Sequence, residues 1–221
     1  MSKRAFLVTA TLVASSACVA PSAEAPAPVS TAPLSAAPAP TPAPTPAGAR
    51  GTIVGTVATN PWHDIKGGAV VYLEDAPRGP NAPPSATLDN HDMEFVPNIV
   101  TVAAGGSVIF TNTDPMAHNV FSPDGEKWNL GEIPQNGSVV KRFDTPGSYV
   151  VLCNLHQSMR AYLLVSPSSY FARSGPDGAF AIKNVPPGTY HVSAWAPRLK
   201  KATQAVTVGG EETTANFSLE R

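Results

Sequence analysis

From Gly51 onward, short apolar or alternating runs recur along the chain, each closed by a turn cluster. "GTIVGTV", "GAVVYLE" and "NIVTVAAGGSVIFTN" come first; "SVVKRF", "SYVVL" and "AYLLV" follow; "GAFAI", "TYHVSAWA" and "TQAVTV" come last. The breaks between them include "DTPG", "PDG", "VPPG" and "VGG". Proline presets φ and glycine supplies positive φ, so these clusters read as turns. Short runs rich in Val, Thr, Ile and aromatics at this spacing predict sandwiches or barrels, not βαβ units. The expected fold class is all-β.

The first fifty residues break that pattern. Lys3 and Arg4, the apolar "AFLVTATLVA" and the small residues "SSAC" predict an export signal over 1–18. The apolar run is too short to span a bilayer as a mature helix. Cys18 resembles the lipid-bearing cysteine of a bacterial lipoprotein, although Ser15 stands where such signals carry Leu or Val. Lipidation and simple cleavage both remain open. Residues 19–50 are Ala, Pro, Thr and Ser, as in "APAPTPAPTPA", and cannot bury a core. They predict a disordered, stiff spacer that at about 3.1 Å per residue reaches up to ~90 Å. The expected location is outside the cytoplasm, in the periplasm or cell envelope, with a membrane tether if Cys18 is lipidated.

The ends of the β-rich region look like halves of one unit. "GTIVGTV…GGAVVYLEDAP" and "GPDGAFAIKNVPPGTYHVSAWAPRLKKATQAVTV" resemble a carboxypeptidase regulatory-like domain, a small transthyretin-like (prealbumin-like) sandwich. The stretch between them does not. An insertion follows: 51–76 and 170–221 form one split sandwich, with another domain over 86–166. A linear order of hairpin, domain and small sandwich is the other arrangement. Neither half alone has enough strands to close a core.

Composition narrows the chemistry. Net charge is −1, which gives no basic field for nucleic acid or anionic lipid. There are two cysteines, and if Cys18 is removed or lipidated, Cys153 has no disulfide partner. A bland buried cysteine or a metal ligand would each account for it. "CNLHQSM" favours the metal: Cys153, His156 and Met159 follow one another in a tight loop after the run "SYVVL". "NTDPMAHNVFS" offers a second imidazole, His118, from about 35 residues upstream. Two His and one Cys with a weak axial Met are the ligand set of blue-copper electron-transfer sites. Zinc prefers four strong ligands in a closed tetrahedron, and a thioether in the fourth place argues against it.

"FVPNIVTVAAGGSVIFTNTDPMAHNVFS" followed by "FDTPGSYVVLCNLHQSMRAYLLV" resembles the cupredoxins, in the order His-Asn, Pro-Gly, Cys-x-x-His-x-x-Met. The loop spacing is like that of the amicyanins; plastocyanins usually carry two more residues before the methionine. With the split sandwich, the whole chain resembles bacterial "methylamine utilization protein"-type cupredoxins. The resemblance implies a Greek-key β-sandwich holding one type 1 copper on His118, Cys153, His156 and Met159. It implies an outer role for Asn119, tying the ligand loops together and tuning the thiolate. It also implies electron exchange with redox partner proteins at His156, inside an apolar collar of Pro115, Met116 and Leu155.

The remaining histidines have plainer readings. His91 in "DNHDMEF" reads as a strand end, His63 in "NPWHD" as a solvated turn, and His191 as facing water or the domain seam. Trp128 and Trp195 read as core or seam packing. The expected function is an exported single-electron carrier, not an enzyme: copper oxidases and nitrite reductases need further centres built from His-x-His pairs, and no such pair occurs. The alternative is copper storage or delivery without a redox circuit, against which stand only four methionines and no His or Met cluster.

Overall fold

The computed structural model describes residues 48–59, 68–77, 79 and 85–221. The export signal with Cys18, most of the 19–50 spacer, and His63 lie outside them. The strands are β1 (Gly51–Thr59), β2 (Val70–Leu73), β3 (Ser85–His91), β4 (Glu94–Val96), β5 (Ile99–Ala103), β6 (Gly106–Asn112), β7 (His118–Ser122), β8 (Trp128–Ile133) and β9 (Ser138–Phe143). They continue with β10 (Gly147–Leu152), β11 (Arg160–Ser166), β12 (Phe171–Arg173), β13 (Ala179–Val185), β14 (Gly188–Trp195), β15 (Ala202–Val208), β16 (Glu212–Thr214) and β17 (Phe217–Leu219). The protein is all-β: among the described residues no helix forms, and none is long and apolar enough to cross a membrane.

Strands from both ends of the chain share sheets. β1 pairs with β13, β16 and β17, while β2 lies between β12 and β14 in the order β12-β2-β14-β15. These two sheets enclose a core that includes Ile53, Val71, Leu73, Phe180, Val192 and Phe217. The intervening chain makes a second sandwich, with sheets β5-β11-β10-β7-β8 and β4-β3-β6-β9. Its core includes Leu88, Phe110, Val151, Cys153, Met159 and Leu163.

Side-chain alternation decides which strands join the sandwiches to each other. β13 buries every second residue over most of its length, which suits a strand with one wet face. In "VVYL" of β2 every residue is buried. Val71 and Leu73 point into the first core, and Val70 and Tyr72 point away from it into a seam with Ile99 and Leu164. β11 mirrors this arrangement: Ala161, Leu163 and Val165 face the second core, and Leu164 faces the seam. Fully burying one such aliphatic side chain contributes about 1.5–3 kcal/mol. Continuous apolar runs on β2 and β11 therefore mark strands covered on both faces. Trp195 packs at the seam, and Trp128 packs against the second core beside Phe110 and Phe143.

Candidate metal centre

β10 and β11 form an antiparallel hairpin closed by the pair Leu152–Arg160. Residues 153–159 are its loop, so Cys153, His156 and Met159 occupy one tip. A hydrogen bond from the Met159 amide to the His156 carbonyl, 3.1 Å, folds the loop back on itself. β10 also pairs with β7 through Leu152 and Phe121. That pairing sets the start of β7, and so His118, beside the thiol.

The three polar donors converge. Cys153 Sγ is 4.0 Å from His118 Nδ1 and 3.8 Å from His156 Nδ1, and the two Nδ1 atoms are 3.1 Å apart. They form the only group of three or more His, Cys, Asp or Glu donors at metal-holding distance among the described residues. With metal bonds of about 2.0–2.1 Å to nitrogen and about 2.3 Å to sulfur, donors spread at 120° stand about 3.6 Å (N to N) and about 3.8 Å (N to S) apart. The observed triangle fits one ion between them. Cys153 is a buried free thiol, and Met159 is buried in the same core as Cys153. A soft thiolate, two imidazoles and a thioether nearby suit copper.

The two imidazoles differ in surroundings. His118 is 0% exposed, whereas His156 is only half-buried. Pro115, Met116 and Leu155 are all exposed, the first two on the β6–β7 loop that leads into His118 and the third on the β10–β11 loop that carries the other donors. Asn119 is also buried. It follows His118 on β7, so its side chain leaves the other face of the strand, and its amide donates to Asn129 Oδ1 of β8 at 2.8 Å. It makes no hydrogen bond to the 153–159 loop. His91 and His191 are occupied elsewhere, against Thr113 Oγ1 at 3.0 Å and Asp75 Oδ2 at 2.8 Å.

Sequence reasoning passed over Asp114. Its Oδ2 lies 2.7 Å from His118 Nε2, and both side chains are almost wholly buried. Burial pushes the Asp114 carboxyl up. Hydrogen bonds from the Met93 and Asp92 amides, and then from His118, outweigh that and hold it below its ordinary value. The available signal was the spacing in "DPMAH", an acid four residues before a candidate ligand.

Comparison with known proteins agrees with this geometry. Residues 136–220 match the carboxypeptidase regulatory-like domain, which the chain therefore contains, and residues 84–166 match the copper binding proteins of the plastocyanin/azurin family. Amicyanin-alpha from Methylorubrum extorquens is 30% identical over 105 residues, covering 46% of this chain and 84% of that protein. Plastocyanin from Ulva prolifera is 35% identical over 78 residues, covering 31% of this chain and 80% of that one. Among solved structures, a copper-containing nitrite reductase from Thermus scotoductus SA-01 aligns at 20% identity with a TM-score of 0.37, over 41% of this chain. This chain spans only 28% of that enzyme's chain. His118 and the whole 153–159 loop fall inside the stretch shared with the copper-binding family, and with an amicyanin matched over most of its length, the chain belongs to the plastocyanin/azurin family of copper binding proteins.

Proposed function

We propose that this protein carries single electrons between redox partner proteins through one type 1 copper held by His118, Cys153, His156 and Met159. The observation that carries this reading is the triangle of the Cys153 sulfur and the His118 and His156 Nδ1 atoms, with the sulfur 4.0 and 3.8 Å from the nitrogens and the nitrogens 3.1 Å apart. Copper, when bound, supplies the one-electron couple. Two stretches of chain, fixed by the β7–β10 pairing, hold the donors in place, so little has to move when the charge changes. Burial of His118, Cys153 and Met159 keeps water from the inner side of the site. Half-buried His156 offers the shortest way out, and exposed Pro115, Met116 and Leu155 give an apolar rim for brief docking. We infer a carrier, not an enzyme, because the described residues bring together one cluster of three His, Cys, Asp or Glu donors and no second one for a further metal centre.

The rest of the reading concerns placement. The sharing of sheets by β1, β2 and β12–β17 supports a regulatory-like sandwich split over 51–76 and 170–221, with the copper sandwich over 86–166 inserted in it. The sequence features of 1–50 support export to the periplasm or cell envelope, with a membrane tether only where Cys18 is lipidated and not removed by simple cleavage.

The test is copper loading of the metal-free protein. Intense thiolate-to-copper visible absorption with fast, reversible one-electron reduction is expected, and Cys153→Ser should abolish the colour while the far-ultraviolet β signal persists. A colourless site that holds only Cu(I) and exchanges it rapidly would overturn the carrier reading in favour of copper delivery.

A further inference from the structure

A cleft opens where the two sandwiches meet. It measures about 480 Å³, and its lining includes Tyr72, Glu74, Trp195 and Lys201 of the first sandwich and Ser148 and Leu164 of the second. That size falls within the range of about 300–1,000 Å³ usual for small-ligand sites, which favour domain interfaces. Tyr72 and Leu164 are buried in the seam, so they give the cleft a fixed, largely apolar base. Ser148 lies near the start of β10, whereas the metal-donor loop follows the other end of that strand, at Leu152. The cleft is therefore separate from the copper donors.

Its polar groups have capacity to spare. Glu74 Oε1 accepts from Ser193 Oγ at 2.8 Å and from Lys201 Nζ, and Ser193 Oγ also meets Thr203 Oγ1 at 2.6 Å. These bonds pin the carboxylate by one oxygen. Oε2 accepts no hydrogen bond among the described residues, and the bond to Glu74 uses one of the three ammonium hydrogens. An acceptor and donors thus stand side by side at the cleft, and their charges offset each other. An anion would meet Glu74 and a cation would meet Lys201, so neither is favoured. A wholly apolar ligand would take both charges out of water and give them no partner. A hydroxyl both donates and accepts, so two neighbouring hydroxyls match Oε2 and Nζ together. Half-buried Trp195 adds a large flat apolar surface. A sugar ring combines the two, with hydroxyls at its edge and C–H groups on its faces.

We propose that this cleft binds a neutral pyranose sugar, with the ring face on the Trp195 indole and two adjacent hydroxyls on Glu74 and Lys201. The site is independent of the copper assignment. Plain glucans and N-acetylated glycans share this chemistry.

The test is titration of the metal-free protein with cellotriose, maltotriose and chitotriose, followed by proton–nitrogen NMR. At least one should bind with a dissociation constant below about 1 mM, moving the Trp195 indole N–H and the Ser148 amide and leaving the amides of the 153–159 loop in place. Binding of chitotriose alone assigns an N-acetylated glycan; binding of a glucose trimer assigns a plain glucan. Sorbitol has the hydroxyls without a rigid ring face, and a blocked tri-alanine peptide has amides instead; each should bind at least about tenfold more weakly. Glu74→Gln, Lys201→Met and Trp195→Ala should each weaken the sugar about tenfold or more. Should Trp195→Ala unfold, the other two variants, at partly exposed positions, carry the test. No shift from any of the three sugars at about 10 mM overturns the proposal. So does equal binding of sorbitol or the peptide, or unchanged affinity in both Glu74→Gln and Lys201→Met. Lys201→Met should leave the copper colour unchanged, so loss of sugar binding and loss of the carrier reading are told apart.

Discussion

The unequal burial of the two imidazoles leads to a sharp contrast between His118→Gly and His156→Gly. The His118 ring is fully enclosed, so its removal leaves a void, and the Asp114 carboxylate loses one of its three hydrogen-bond donors. Truncating a large core side chain costs about 3–5 kcal/mol, and a buried acceptor left short adds about 1–3 kcal/mol. Asp114 keeps two amide donors, which puts the total near the low end, about 4 kcal/mol. His156 is half-buried in a hairpin loop, and its removal should cost about 1 kcal/mol. Each glycine adds a similar backbone-entropy cost, which cancels in the comparison. The gap of about 3 kcal/mol should separate the urea midpoints of the two metal-free variants by roughly 1–2 M. The copper readout should divide the same way. Added imidazole should enter the open edge left by His156→Gly and restore the blue spectrum, while the closed void of His118→Gly should resist it. Equal midpoints, or equal rescue of both variants, would refute the assignment of His156 as the outward-facing ligand.

Three further outcomes follow from the packing. Met159→Leu keeps volume and should cost under about 1.5 kcal/mol in the metal-free protein, yet shift the copper spectrum and potential; an unchanged spectrum and potential would assign Met159 to the core alone. Leu164→Ala should remove about 2–4 kcal/mol from the seam and split a single calorimetric unfolding transition into two; one unshifted transition would show that the seam does not couple the sandwiches. At Glu74, the Lys201 hydrogen bond holds the carboxyl below its ordinary 4.5 although burial opposes it, and Lys201 is held above 10.5 chiefly by the same bond. The carboxylate's share of stability is therefore whole above pH 4.5 and lost as pH falls through its lowered value; the ammonium's share is whole below pH 10.5 and lost as pH rises through its raised value. Both side chains are partly exposed, so the pair is worth under about 1 kcal/mol. Lys201→Met should flatten the acid limb of the urea midpoint between about pH 3 and 5, and an identical limb would contradict the pairing.

The sandwich class could be read from the chain because strand periodicity and turn chemistry are local signals. The ligand loop could be read because three of its donors fall within one hairpin tip. β8, "WNLGEI", escaped notice because only Ile133 in it is buried and its partner β7 carries the binding motif. The side-chain direction of Asn119 was not readable either, since it depends on which neighbour lies across the ladder. Asp114 was hidden for another reason. An acid four residues before a histidine says nothing until the β3–β4 turn, more than twenty residues upstream, is folded against it.

The chain leaves the outer sandwich after β2 and re-enters it at β12, and these two strands pair, with Phe171 opposite Tyr72. The second sandwich thus hangs from adjacent points, like a bucket on two handles. One proteolytic cut in either crossing would leave it attached by the other, and no single swivel lets it spin. Pulling on β1, the first described strand, or on β17, the last, loads the outer sheets before the ligand loops.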